Sequence, residues 1–516
     1  MNAPPEQMSH RQILEALSGL LLALFVAMLS GTIVSVALPQ IIGALNGSQS
    51  QYTWVVTATL LASTASTPIW GKLADLFSKK LLLQISIVIF MVSSLACGFA
   101  QDTAQLIAFR AVQGIGMGAL QVLVQVIIAA MITPKERGRY NGYLGGVMAV
   151  ATVAGPLLGG LIADQLGWRW CFFIAVPFTV LAFGLLQKTL RVATVRRDDV
   201  KIDYVGATLI AAGVSVLLIW VTFVGNSFDW LSWQTAAMVI GGLLLLGVAT
   251  WVEAVVREPV VPLHVIRRRT PALAILASLA VGMAMFGGSV FLGQYFQIGR
   301  GYSPTEAGLF TIPMMLGVLV SSTVTGRMVS KSGSVKPYIV VGAIVLTIGF
   351  LGLSTMDHET SLVFIAVSMV LVGAGVGMSM QNLVLAIQNT VPLRELGAAS
   401  GAITFFRSLG GTIGVSVLGA VLANQVATSI AQGLAKMGID ASGAAGGGST
   451  LNIAALPEPV KLVVRAAYGD ATGHIFLISA AIAVVGLIAT LFLQPVKLRD
   501  SLDLPAPAPE EKSPVS

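Results

Sequence analysis

Apolar runs of about twenty residues recur along this chain from Leu17 to Leu493, each long enough to cross the roughly 30 Å hydrocarbon core of a bilayer. In hydrocarbon every backbone N–H and C=O must be bonded inside the protein, so successive runs of this length dictate helices packed side by side. Composition agrees. Of 516 residues, 55% are apolar and 10% are charged, with a mean hydropathy of +0.86, whereas soluble domains carry about 25% charge. The 55 glycines fit the same picture, because small residues let membrane helices approach closely. The expected fold is all-α and integral to the membrane, with the lipid bilayer as its solvent.

The pattern places helices at roughly 17–39, 53–71, 81–100, 105–131, 140–163, 170–190, 204–224, 235–252, 271–296, 305–328, 338–356, 361–389, 400–424 and 472–494. Such an even count, about fourteen, puts both termini on one side. Alternate loops carry Lys72, Lys79 and Lys80; Lys135, Arg137 and Arg139; Arg191, Arg196, Arg197 and Lys201; Arg257 and Arg267 to Arg269; Lys331 and Lys336; Arg394; and Lys497 and Arg499. The opposite loops hold Arg169, Arg300 and three basic residues in the last long loop. By the positive-inside rule both termini are expected in the cytoplasm of a cell, bacterial by preference, with the chain in its plasma membrane. The formal charge of +7 is spread over these loops rather than gathered in a patch, so no nucleic-acid partner is expected. Cys97 and Cys171 read as free thiols near outer helix ends. Glu6, His10, Arg11 and Glu15 precede the first run without a small-residue cleavage pattern, so no cleaved leader is expected.

A weak repeat is visible. Gly71–Lys80 (GKLADLFSKK) and Gly326–Lys336 (GRMVSKSGSVK) each pair a glycine leaving the membrane with a tight basic turn, 255 residues apart. That offset suits two six-helix halves, at 1–190 and 271–494, separated by a linker with an inserted helix pair at 191–270. Within the second half, 425–471 is the longest outer loop. Its stretch LPEPVKLVVRAAYGDA could lie on the membrane as a short amphipathic helix. The tail 495–516, rich in Pro, Glu and Ser, is expected to be disordered on the cytoplasmic side.

Three strings carry the chemistry. In GKLADLFSKK, Gly71 permits close helix approach, Asp75 can accept from a neighbouring helix N-terminus, and Lys79 and Lys80 mark the cytoplasmic side. The fourth helix, which carries LIAFRAVQGIGMGAL, places Arg110, Gln113, Met117, Gln121 and Gln125 on one face, and an arginine inside an apolar run is by default a functional candidate. A structural arginine satisfied by glutamines and carbonyls is the alternative. In AVATVAGPLLGG, Gly155, Pro156, Gly159 and Gly160 would kink a helix and admit a close neighbour.

In this order the strings resemble motifs A, B and C of the major facilitator superfamily. Gly71, Leu73, Asp75, Lys79 and Lys80 match motif A, with Leu76 and Ser78 departing from it; Leu106, Arg110, Gln113 and Gly114 match motif B. Gly155, Pro156, Gly159 and Gly160 match motif C, which in that superfamily is characteristic of exporters. The helix count, SVALP at Ser35–Pro39 and YFQIGRGYSPTEAGL at Tyr295–Leu309 make the chain similar to the fourteen-helix drug:proton antiporter-2 family. The resemblance implies a major facilitator fold of two six-helix bundles plus an inserted pair. It also implies a monomeric multidrug efflux antiporter driven by a proton gradient, with no bound cofactor. Asp75 would latch the two halves, and Arg110 would face the cavity and help couple protons.

One departure matters. Ser30 stands where that family commonly has an aspartate, and Ser35 where it has asparagine. Serine cannot titrate. Glu15, Asp75, Asp164, Asp203 and Glu306 all sit near expected helix ends, leaving Asp75 and Glu306 as candidate proton carriers. The expected cavity offers Ser30, Arg110, Gln113, Gln121, Gln125, Gln381, Asn382, Gln388 and Asn389, with Met283, Met285, Phe286 and Phe291 near in sequence. Such a surface favours small neutral or anionic amphiphiles over dications; helix-to-helix hydrogen bonding by the amides is the competing reading. His474 reads as an interfacial packing residue. No phosphate-binding loop, HExxH or GxSxG string occurs, which argues against an ATP-driven pump, an intramembrane protease or another enzyme. The remaining rival is a facilitator of the same fold that moves a nutrient, metabolite or lipid. Accessory export proteins are not legible in the chain.

Overall fold

The computed structural model describes residues 10–45, 49–190, 203–224, 228–256, 263–302, 304–437, 458–495 and 497–499. The expectations for 191–202, for GIDASGAAGGGST and for 500–516 lie outside them. The first half contains α1 (His10–Ala44), α2 (Gln49–Leu76), α3 (Lys79–Gly98), α4 (Thr103–Met131), α5 (Pro134–Gln165), α6 (Trp170–Phe173) and α7 (Ala175–Thr189). The inserted pair is α8 (Tyr204–Phe223) and α9 (Trp233–Val255), followed by the single turn α10 (Leu263–Ile266). The second half runs through α11 (Arg269–Gln294), α12 (Pro304–Phe310), α13 (Ile312–Ser332), α14 (Lys336–Ser354), α15 (Leu362–Gln388), α16 (Leu396–Lys436) and α17 (Glu458–Leu491).

Among the described residues, twelve helical segments are long and apolar enough to cross a membrane. α2 misses that set because Ser, Thr and Pro68 dilute its hydropathy, and α8 because its apolar stretch, Val205–Val221, is short. Both nevertheless stand in the bundle. α2 packs along α4, and α8 lies against α9, α2 and α16. Counted with them, the described residues form fourteen helical rods.

Each half has its own apolar core. In the first, Leu20, Phe90 and Leu123 belong to one cluster, and Ile33, Leu38 and Phe172 to another. In the second, Tyr295, Phe350 and Phe476 are fully buried together. The inserted pair docks Ile210, Val214 and Leu218 on Phe405 of α16, beside the meeting line of the two halves.

Beyond shifts of helix ends, such as α1 running His10–Ala44 where 17–39 is expected, four features differ from the sequence reading. The sixth helix is split at Ile174 and the tenth at Thr311. Pro177 and Pro313 explain this, since neither can donate to the carbonyl four residues earlier. Of the outer loop expected at 425–471, residues 425–436 and 458–471 are helical. α16 continues to Lys436 and α17 begins at Glu458, so the stretch expected to lie flat on the membrane is the first part of a 34-residue helix. Pro459 falls in its first turn, where a missing N–H costs nothing. Val463 of α17 packs on Gly433 of α16, which holds the two helices together beyond the helix ends expected from the sequence. The fourth difference is the tail, expected to be disordered from 495. Its residues 497–499 instead form a strap. Leu498 N donates to Gly333 O at 2.8 Å, Asn389 Nδ2 donates to Lys497 O at 3.0 Å, and Lys135 N donates to Arg499 O at 3.3 Å.

Candidate functional site

The ends of α2, α4, α13, α15 and α17 gather with the starts of α3, α5, α14 and α16 at one basic end of the bundle. Here the two halves are closed on each other along two seams.

The first seam joins α2 to α16. Asp75 is the last residue but one of α2, and its carboxylate accepts from Gly397 N and Ala398 N, each at 2.7 Å. Those are the second and third residues of α16, whose amides have no carbonyl partner within their own helix. The acid therefore caps a helix of the opposite half, where it meets both free N–H groups and the positive end of the helix dipole. Gly71 sits one turn back. A Cβ there would stand 2.5 Å from Gly397 O and 3.0 Å from Gly401 Cα, and one on Gly397 would collide with Gly71 O. Leu73 packs into the first-half core. Lys80 donates to Gln187 O at 2.8 Å within its own half, and Lys79 opens α3 behind the capping hydroxyl of Ser78.

The second seam joins α5 to α13. Gly138 meets Gly326 backbone to backbone, and Gly142 and Gly145 face Thr323 and Ser322. Between the seams lies a polar plug. Arg137 is buried and donates to Gln388 Oε1 at 2.7 Å, Ala129 O at 2.8 Å and Ile132 O at 2.9 Å. Gln388 in turn donates to Ser400 Oγ at 2.8 Å. Gln125, Gln381, Arg137 and Gln388 line one void of about 10 Å³. Gln125, Gln381 and Gln388 thus belong to a closed contact between the halves rather than an open cavity. Asn382 donates to Met378 O on its own helix, and Asn389 holds the strap at Lys497 and Arg499. Gln121 stays half-buried on α4.

Deeper in the first half, Arg110 is buried and donates to Gln113 Oε1 at 2.7 Å; Gln113 Nε2 reaches Ser94 Oγ at 2.7 Å and Ser30 Oγ at 3.5 Å. Gly114 permits this cluster, because α2 passes with Thr59 backbone against it. Motif C sets the neighbouring contact: a Cβ on Gly155 would strike the Thr32 side chain, and one on Gly159 would stand 2.8 Å from Ile33 O. α5 therefore seats on α1 immediately beside Ser30. A Cβ on Gly160 would meet nothing within 4 Å outside its own helix backbone among the described residues, and of Pro156 only the helical backbone is described. Met283, Phe286 and Phe291 of α11 pack on glycines of α16. Cys97 and Cys171 are free and buried.

Two features escaped the sequence reading. Arg407, inside α16, is buried, and its Nη1 has no hydrogen-bond partner among the described residues. The signal was the one that marked Arg110, an arginine within an apolar run. Glu253, buried near the end of α9, faces Gly206 together with Asp203. At the opposite end of the bundle, Tyr295 Oη donates to Asp357 O at 2.8 Å, Arg300 donates to His358 O and Thr360 O, and His358 Nδ1 lies 3.1 Å from Asp470. The Thr360 hydroxyl and the Glu359 amide hold the Asp357 carboxyl below its usual range.

This architecture has known counterparts. The sequence profile of the Major Facilitator Superfamily matches residues 20–415. The chain belongs to that superfamily. It is 33% identical over 508 residues to the Multidrug transporter protein MdtP of Bacillus subtilis, covering 93% of each chain. It is 30% identical over 498 residues to Multidrug resistance protein 3 of the same organism, covering 94% of this chain and 96% of that one. An MFS-type transporter of Mycobacterium tuberculosis is 35% identical over 486 residues, 94% of this chain and 70% of its own length. Among solved structures, the proton:xylose symporter XylE superposes with a TM-score of 0.62 at 14% identity, over 95% of this chain and 98% of its own. That likeness shows the major facilitator fold, and the chain is a multi-span membrane transporter rather than an enzyme.

Proposed function

We propose that this major facilitator exports small neutral or anionic amphiphiles across the cytoplasmic membrane by alternating access, in exchange for protons. Its basic end faces the cytoplasm in this reading, in keeping with the positive-inside rule. The names of its relatives support export: MdtP is a multidrug transporter, and others are called efflux pumps.

The observation that carries the substrate class is a pair of buried guanidiniums. Arg110 in the first half and Arg407 in the second have no ion-pair partner among the described residues. A buried cation without a counter-ion is costly, and an anionic group entering from solvent would offset that cost. A cavity built for dications would place carboxylates there instead. Closure at the two seams, with Asp75 as the latch, corresponds to the arrangement open away from the cytoplasm.

Vesicles loaded at defined pH and offered anionic, neutral and cationic dyes test the whole reading. Proton-linked flux of anionic and neutral dyes is expected, and Arg110→Ala should abolish it. Flux confined to cationic dyes would sink the substrate class. Flux indifferent to an uncoupler would sink antiport. Uptake of a sugar or metabolite with no dye transport at all would favour the facilitator reading.

A further inference from the structure

A groove of about 830 Å³ runs along the outside of the α5–α13 seam, with α1 as its third wall. Its lining changes character along its length. At the basic end it carries Arg139 of α5 with Arg327 and Lys331 of α13; towards mid-membrane it carries Phe25 of α1, Val150 of α5 and Leu319 of α13. Arg139 and Val150 are separated by about 16 Å of helix at 1.5 Å per residue. All three cations are exposed, and none makes a hydrogen bond or ion pair within the described residues. The acid nearest in sequence, Glu136, accepts from the Thr133 hydroxyl at 3.3 Å.

We propose that this groove binds one anionic glycerophospholipid from the leaflet at the basic end. Its phosphate would sit among Arg139, Arg327 and Lys331, and its acyl chains would lie along Phe25, Val150 and Leu319. Cations at headgroup depth continuous with an apolar wall match an amphiphile rather than a free ion. Basic pockets between membrane helices on the cytoplasmic side select anionic over zwitterionic headgroups for the same reason. The site also has a consequence for transport. One cation comes from the first half and two from the second, so rocking the halves apart divides the set. A ligand that prefers the undivided set shifts the population towards closure at this end. The inference is independent of which substrate is carried.

The test uses the full-length purified protein, offered equimolar dioleoyl phosphatidylglycerol and dioleoyl phosphatidylcholine, with bound lipid counted by native mass spectrometry. Phosphatidylglycerol should be retained at least about fivefold over phosphatidylcholine. The triple variant Arg139→Gln, Arg327→Gln, Lys331→Gln should fall to parity, and Val150→Trp, which fills the apolar wall without altering charge, should lower retention of both lipids. Should the triple variant not fold, Lys331→Gln alone should roughly halve the preference. Arg267→Gln, which removes an exposed cation elsewhere at the basic end, should change nothing. Parity in the unaltered protein, an equal loss with Arg267→Gln, or full preference in the triple variant would each overturn the proposal. Displacement of the lipid by an equal concentration of glycerol 3-phosphate would assign the site to free phosphate esters and overturn it too.

Discussion

The two seams at the basic end are built from matching parts and held by different forces. Gly71 and Asp75 on α2 correspond to Gly326 and Ser330 on α13; Gly397 and Gly401 on α16 correspond to Gly138 and Gly142 on α5. The glycine contacts are shared, and the acid is not. Helix starts explain why. Gly397 and Ala398 are the second and third residues of α16, so their amides are free to be capped. Gly138 is one full turn into α5, where Arg137 N already donates to Thr133 O and the helix is running. A carboxylate at position 330 would find no free N–H to receive. The chain puts its acid only where a helix end needs one, and leaves the other seam to small-residue packing and the Arg137 plug.

The difference can be tested by substitution, beginning where the seams should agree. Gly397→Leu and Gly326→Leu each drive a side chain into the opposing backbone, and overpacking of this kind costs about 1–3 kcal/mol or more. Both should open the basic end, read as a widened distance between spin labels on the two halves. A Gly326→Leu protein that stays closed would show the second seam to be dispensable. The acid should then separate them. Asp75→Ala removes two charge-assisted hydrogen bonds and should shift the closed population by about 1.5–3 kcal/mol, roughly tenfold or more. Ser330→Ala should move it by less than about 0.5 kcal/mol. Equal shifts from the two would remove the distinction drawn above. An effect smaller than that at Asp75 is expected at the strap. Arg499→Ala removes hydrogen bonds from Nη2 to the carbonyls of Gln388 at 3.1 Å and Val391 at 3.0 Å. It should cost about 1 kcal/mol and speed hydrogen exchange at the Lys135 amide, leaving Asp75 and its partners unchanged.

Much of this was legible beforehand. The apolar runs named the all-helical membrane fold, and three motif strings pointed to Asp75, Arg110 and Gly155 as positions to examine. What could not be read was where polar groups end up. Gln381 and Gln388 are seven residues apart, as are Asn382 and Asn389, a spacing that puts each pair on one helix face. The glutamines do line one void together, but Asn382 turns to its own backbone and Asn389 to the strap. An amide finds whichever partner the packing brings near, and spacing carries no record of it. Helix ends failed for a related reason. The hydropathy signal stops where hydrocarbon stops, whereas α16 runs on for 41 residues, about 60 Å, because α17 is beside it to pack against.

By itself, then, the sequence determined the solvent, the all-helical class, the order of the halves and the places where backbones can touch. These follow from side-chain polarity and size, which are local properties. The tertiary structure decided what each charged group meets. Asp75 reaches amides more than three hundred residues away, Arg137 reaches Gln388, and Arg110 is left with a glutamine and no acid among the described residues. Electrostatic partnership depends on distances of a few ångströms between helices, and only packing sets those.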